Sequence, residues 1–185
     1  MTVHLPDFLC HYYEADHGPF RNLSSLATDS AQLVLDGIKS KNTTFAGKRD
    51  ADYLSIRRGL ESRVRELFIA KGGQPANAYP HYLVLGCVPW LLSWYEHGAE
   101  LRIPLTLFDE NIVSYTYGDT FPAMRYQDGR PYRNQVFTLR ELPALITAYG
   151  LPQEWNAEGR LGPDRYIEAQ VWSDQPLLPY LTSRH

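Results

Sequence analysis

The sequence predicts an α+β fold: a mainly antiparallel sheet with two N-terminal helices and one late helix packed on it. Three observations carry this expectation. Helical periodicity dominates the first part of the chain, alternating apolar segments bounded by turn residues dominate the rest, and strands and helices do not interleave as a doubly wound parallel sheet requires. With 185 residues, 44% of them hydrophobic, the chain is long enough for one substantial core. Residues 1–185 are therefore expected to form a single globular domain, with 173–185 a loosely packed tail marked by Pro176 and Pro179.

The first strand is expected at Phe8 to Glu14, which alternates and is rich in aromatics. Gly18-Pro19 breaks the chain, and Thr28 is placed to cap a helix over Asp29 to Ser40 whose apolar face is Leu33, Leu35 and Ile38. A second helix, Asp50 to Lys71, repeats Tyr53, Ile56, Leu60, Val64, Leu67 and Phe68 at helical spacing and stops at Gly72-Gly73. Strands follow at His81–Leu85, Leu101–Phe108, Ile112–Tyr117 and Tyr132–Thr138, with a short helix at Pro89–His97. Asp128-Gly129 predicts a tight hairpin joining the last two strands, because both residues tolerate positive φ. Thr138 and Glu141 form a capping-box pattern for a helix that runs to Tyr149 and ends at Gly150. After a polar loop, Pro152–Pro163, the last strand spans Arg165 to Trp172.

A net charge of −3 supplies no global field for nucleic acid or an acidic membrane, which favours a neutral or small partner and makes nucleic acid an unlikely one. Cys10 and Cys87 lie in apolar surroundings and read as reduced core thiols. No segment approaches the roughly 18 uninterrupted apolar residues of a membrane span, and Met1 to Pro6 lacks a basic start with an apolar run. The expectation is a cytoplasmic protein with no membrane partner.

Recognition chemistry concentrates between Ile112 and Gln135, where Tyr115, Tyr117, Phe121, Tyr126 and Tyr132 stand among Arg125, Arg130, Arg133, Asp119 and Asp128. Two residues break their local pattern. Arg57 falls inside the apolar sector of the second helix, where a guanidinium must snorkel, pair with a carboxylate or meet an anionic ligand. Glu168 shares one face of the last strand with Tyr166, Gln170 and Trp172, opposite Ile167, Ala169 and Val171. A carboxyl between two large aromatics would gain a raised pKa in a cleft, suited to acid–base work or to gripping hydroxyls, unless it faces water or pairs with an Arg such as Arg133.

Other patterns are weaker. His11, Glu14, Asp16 and His17 resemble a metal cluster, but strand alternation turns His11 and Glu14 apart and no ligand pair has a recognised spacing, so no metal is expected. The basic face of the second helix, Arg58, Arg65 and Lys71, is interleaved with Glu61 and Glu66 and reads as a solvated surface. The nucleotide-loop, zinc-protease and serine-hydrolase templates are missing from the sequence, which leaves the cofactor unknown.

At H-Y-Y-E-A-D-H-G-P-F-R-N-L (His11 to Leu23), S-Y-T-Y-G-D (Ser114 to Asp119), Y-G-L-P-Q-E-W-N (Tyr149 to Asn156) and R-Y-I-E-A-Q-V-W (Arg165 to Trp172) the chain resembles a group of uncharacterised bacterial single-domain proteins over nearly its whole length. That resemblance implies a bacterial cytoplasmic protein and no particular mechanism. At three positions it is also similar to ADP-ribosyltransferases, which place a His or Arg on an early strand and a glutamate on a late one. The likeness implies His11 and Glu168 as the catalytic pair, with Ser114 and Thr116 echoing the middle serine motif. Here Tyr115 interrupts that motif, and Glu168-Ala169-Gln170 stands where the family has E-x-E or Q-x-E.

The leading expectation is a small polar or nucleotide-like ligand held in an aromatic and Arg-containing cleft. Glu168 and His11 are its catalytic candidates, and Arg57, Tyr115, Tyr117, Arg133, Tyr166, Gln170 and Trp172 its ligand-binding candidates. The alternative is a non-catalytic interaction or self-associating domain whose aromatic strip contacts a protein or a second copy, since interface cores share this composition.

Overall fold

A computed structural model describes residues 4–41 and 52–181. Five strands form one sheet: β1 (Phe8–Glu14), β2 (His81–Leu85), β3 (Gly98–Pro104), β4 (Val113–Tyr117) and β5 (Ile167–Val171). Their order is β3-β1-β2-β5-β4 and every strand pairing is antiparallel. Helices α1 (Thr28–Lys41) and α2 (Tyr53–Ala70) separate β1 from β2, and α3 (Thr120–Arg125) follows β4. Helices α4 (Leu142–Tyr149) and α5 (Pro152–Trp155) precede β5, and α6 (Leu178–Leu181) follows it. The architecture is the α+β arrangement with an antiparallel sheet that the sequence predicts.

Register assigns each side chain to a face, because neighbours across a ladder point the same way. Val84 and Thr116 both sit opposite Glu168, Tyr82 and Ser114 opposite Gln170, and Cys10 opposite Val84. These residues share one face. Leu9, Leu83, Leu85, Ile103, Val113, Tyr115, Tyr117, Ile167, Ala169 and Val171 form the other, and it buries the main core against Leu142, Leu145 and Ile146 of α4. The Glu168 face is also covered. Val64 and Phe68 of α2 pack with Trp172 and Val136, and Val88 and Leu91 beside the 3₁₀ turn Pro89–Trp94 pack with Cys10, Tyr12, Val84 and Tyr166. The polar residues of that face are therefore sandwiched rather than solvated.

Several elements depart from expectation for local reasons. On α1 the buried positions are Ala31 and Leu35, one turn apart, while Leu33 is 73% exposed. The expected start of α2 at Asp50 lies outside the described residues; its buried stripe is Leu54, Glu61, Val64 and Phe68, with Leu60 and Leu67 only half-buried. Gly73 closes the helix, since its N–H bonds Phe68 O at 2.9 Å and a Cβ there would meet the Phe68 ring at 2.5 Å. Strand β3 begins at Gly98 rather than Leu101 and stops at Pro104, because Gly98 already pairs with Glu14.

The largest correction concerns residues 120–138. No strand spans Tyr132–Thr138; Phe137 alone exchanges backbone hydrogen bonds with Tyr115, at 2.9 and 2.8 Å. Asn134, at φ 53, interrupts the extended run and donates its N–H to Ala123 O. Asp128-Gly129 is a turn without flanking strands, because the chain before it is α3, capped by Asp119 Oδ1 accepting from Phe121 N at 2.9 Å. The capping box at Thr138 and Glu141 is present, and Gly150 ends α4 at φ 77. The polar loop expected over Pro152–Pro163 contains α5. Beyond Ser173, Leu177 anchors the tail by burying itself in the main core.

Candidate functional site

The functional candidate is built around Glu168 on β5. Its strand neighbours Ser114, Thr116 and Gln170 are fully buried and polar, and each hydroxyl proton among them has a defined acceptor. Trp172 Nε1 donates to Ser114 Oγ (2.9 Å), which donates to Gln170 Oε1 (2.9 Å). Gln170 Nε2 donates onward to Thr116 Oγ1 (3.0 Å) and Thr120 Oγ1 (3.2 Å) and lies 3.5 Å from Glu168 Oε1. Thr120 then donates both its hydroxyl and its backbone N–H, the latter at 3.0 Å, to Glu168 Oε1. The donors run in one direction and branch at Gln170: Thr116 donates to Gly118 O (2.9 Å), and the Thr120 branch ends on Glu168 Oε1.

Burial nevertheless raises the Glu168 pKa to about 8, reinforced by the negative charge of Asp119 and only partly offset by the Thr120 and Gln170 donors. Asp119 is held in place by Tyr166 OH at 3.1 Å and by its capping bond to Phe121 N. At neutral pH Glu168 is thus mostly the neutral acid. The Thr120 donors gather on Oε1, whereas Oε2 has no hydrogen-bond partner among the described residues.

Beside it on the same face stands a second polar group. Tyr82 OH donates to Glu61 Oε1 (2.9 Å), which also accepts from Arg57 Nε (2.9 Å), while Arg57 Nη1 donates to Tyr53 OH (3.2 Å). The guanidinium lies 4.9 Å from the Tyr82 ring centre, and the Tyr53 ring stacks on Phe121 at 5.2 Å. Burial opposes the Arg57 charge, but Tyr53, Tyr82 and Glu61 together outweigh it and hold the Arg57 pKa above its ordinary value. Glu61 is 1% exposed, and its Oε2 is buried without a hydrogen-bond partner among the described residues. Burial likewise raises the Tyr82 pKa well above the usual phenol value, with Arg57 acting in the opposite sense.

Of the sequence candidates, Glu168, Tyr166, Gln170 and Trp172 share this face, and Arg57 meets Tyr82 over it. The rest do not converge. Tyr115 and Tyr117 point to the opposite face and are 1% exposed, with Tyr117 OH bonded to the carbonyls of Tyr149 and Gly150. They are core residues, and burial pushes Tyr117 up to about 12. Arg133 is locked between Asp164 (2.6 Å) and Asp128 (2.8 Å), both structural partners, and cannot meet Glu168. Tyr132 completes that cluster by donating to Asp164 at 2.7 Å.

His11 also lies on the opposite face from Glu168, so the catalytic pair expected from sequence is not assembled. The ring fills a gap where β1 and β2 diverge after the Cys10–Val84 pair. Its Nδ1–H donates to Tyr82 O (3.0 Å), its Nε2 accepts from Phe20 N (3.0 Å), and its ring stacks on Phe20 at 4.4 Å. Burial lowers its pKa to about 4, which keeps it the neutral tautomer those two bonds require. Phe20 reaches this position at φ 58, a conformation unfavourable for a bulky residue and sustained here by the stacking and the hydrogen bond.

The turn residues Glu14 and Asp16 do meet a histidine, but it is His97; their ligand atoms lie within 4.8 Å of one another. The Glu14 oxygens accept from Glu96 N and His97 N, and Asp16 accepts from His97 Nδ1 at 2.8 Å. These bonds clasp the end of β1 to the start of β3. Sequence reasoning named Asp119 only within the recognition segment and missed Thr120, Tyr82 and Glu61 at the Glu168 site. The available signal was the Asp119-Thr120 cap ahead of a short helix, obscured by the expected hairpin. No protein-family model, curated protein or solved structure matches this chain.

Proposed function

We propose that the protein binds a small polar ligand at the Glu168 face, with Glu168 as the group that exchanges a proton or hydrogen bond with it. The observation that carries this reading is the Glu168 carboxyl itself: buried, without a cationic partner among the described residues, braced on one oxygen by Thr120 and Gln170, and raised to a pKa of about 8. A carboxyl kept in this state costs stability, and no hydrogen bond to its Oε2 among the described residues offsets that cost. The Arg57 charge is already neutralised by Glu61, which favours a neutral hydroxyl- or amine-bearing ligand over a phosphate at this face. The aromatic strip expected to stack a ligand or meet a partner does neither through Tyr115, Tyr117 or Tyr132, because all three are interior.

The test is a thermal-shift and calorimetric screen of sugars, polyols, nucleosides and amino acids against the wild-type chain and Glu168→Gln at pH 6 and pH 9. A ligand that binds the wild type with pH-dependent affinity and loses about tenfold or more with the variant supports the reading. Equal affinity for both proteins would discard the role of Glu168.

A further inference from the structure

On α2 the glutamate whose spacing suggests a neutralised, solvated helix face is turned away from that face. Glu61 is buried against Arg57 and Tyr82, and Glu66 faces Arg63 at 3.9 Å. Lys71 is engaged separately, with Glu141 at 2.6 Å. What remains is a stripe of Arg58, Ser62 and Arg65, which 3.6-residue periodicity places within about 60° of one another. These three residues, with Ala76, Ala78 and Tyr79, line a groove of about 400 Å³ between α2 and the segment that leads into β2. On its other side Arg58 borders a second depression of about 360 Å³, lined by Thr28, Gln32, Leu54 and Ser55.

Neither guanidinium has an ion-pair partner among the described residues. Arg58 is braced on neutral oxygens: Ser24 O at 3.1 Å, Leu26 O at 2.6 Å and Thr28 Oγ1 at 3.0 Å. Arg65 donates through Nε to Asn77 O (3.3 Å) and through Nη2 to Pro75 O (3.1 Å). Those two bonds leave its Nη1 pair and one Nη2 hydrogen without acceptors among the described residues, of the five N–H groups a guanidinium carries. The hydroxyls of Ser62 and Tyr79 have no hydrogen-bond partner among the described residues either. Among the described residues the groove therefore gathers two braced guanidiniums without an ion pair, one of them 5.7 Å from the Tyr79 ring centre, together with two hydroxyls, and no carboxylate lines it. Carbonyl bracing orients both guanidiniums in advance, which lowers the entropic cost of gripping an anion.

We propose that this groove is an anion site for a small phosphate-bearing molecule, with Arg65 as the principal donor, Arg58 as the second charge, and Ser62 and Tyr79 as hydroxyl donors to the phosphate oxygens. It stands independently of the Glu168 reading, on a different face of α2 and for an anionic rather than a neutral ligand.

The experiment titrates inorganic phosphate, pyrophosphate and glycerol 3-phosphate into the full chain, following the arginine side-chain Nε–H signals by NMR. Two variants accompany it. Arg65→Gln removes the main donor. Ser62→Glu puts a carboxylate in the groove without touching the carbonyl bonds of either arginine, and therefore remains informative if Arg65→Gln perturbs the adjoining loop. The expected result is saturable binding that shifts the Arg58 and Arg65 signals and weakens about tenfold or more in Ser62→Glu, with an unchanged melting temperature. Absence of saturable binding, equal binding by Ser62→Glu, or binding of a single-stranded oligonucleotide but none of the three phosphates would overturn the proposal.

Discussion

The segment from Ile112 to Gln135 and the face of β5 around Glu168 hold similar residue types and use them in opposite ways. In the first, the charges of Asp128, Arg130 and Arg133 meet their complements. Arg133 bridges Asp128 and Asp164, Arg130 lies 3.4 Å from both aspartates, and Tyr132 and Tyr117 give their hydroxyl protons to a carboxylate and to carbonyls. In the second, Glu168 has no cationic partner among the described residues. Its bonded neighbours are Thr120 and Gln170, and the nearby charge that shifts it is the like charge of Asp119. Aromatic and arginine density is thus a poor guide to a binding surface when the fold brings counter-charges to it, here Asp128 and Asp164. An acid without a counter-charge is a better one.

Breaking the self-satisfied region should produce the largest effect. Asp164→Ala removes the acceptor of Arg133, Arg130 and Tyr132 at a position 1% exposed. It should cost about 3–5 kcal/mol in urea unfolding, the scale for orphaning a buried charge. A loss below about 1 kcal/mol would show that the cluster is not the structural anchor described.

The Glu168 face should respond to pH instead. The unfolded chain releases the Glu168 proton near the ordinary carboxyl value of 4.5, whereas the folded chain holds it to about 8. Between those values the native state binds more protons than the unfolded state, so stability falls as pH rises through this window. Glu168→Gln keeps an oxygen acceptor for Thr120 and removes the titration. Relative to wild type it should gain up to roughly 4 kcal/mol between pH 5 and pH 9, measured by chemical unfolding at each pH. Parallel pH profiles for the two proteins would contradict the raised pKa.

The smallest effect sharpens the contrast between buried and exposed pairs. Arg140 and Glu110 form an ion pair at 2.6 Å, but their side chains are 83% and 45% exposed. Arg140→Ala should change stability by less than about 1 kcal/mol, and less still at high salt. A loss comparable to that of Asp164→Ala would overturn the distinction drawn between the two kinds of pair.

The sequence by itself determined the features that depend on near neighbours. Strands β1 and β2, the body of α2, the Thr138–Glu141 capping box and the alternation that puts Glu168 and Gln170 on one face of β5 all follow from periodicity and from capping bonds a few residues long. The position of Arg57 within the buried sector of α2 follows from the same arithmetic, and its pairing with Glu61 is one helical turn away. Only the tertiary structure decided the rest. Thr120 reaches Glu168 across 48 residues, Asp164 reaches Arg133 across 31, and Tyr82 reaches Glu61 across 21. The same long-range choices turned Tyr115 and Tyr117 inward, replaced the expected strand at Tyr132–Thr138 with a single bridge, and left Arg58 and Arg65 without carboxylate partners among the described residues. Local sequence fixes which way a side chain leaves its own backbone. Whether it finds a counter-charge, an acceptor or an open groove depends on which distant strand or helix is packed against it.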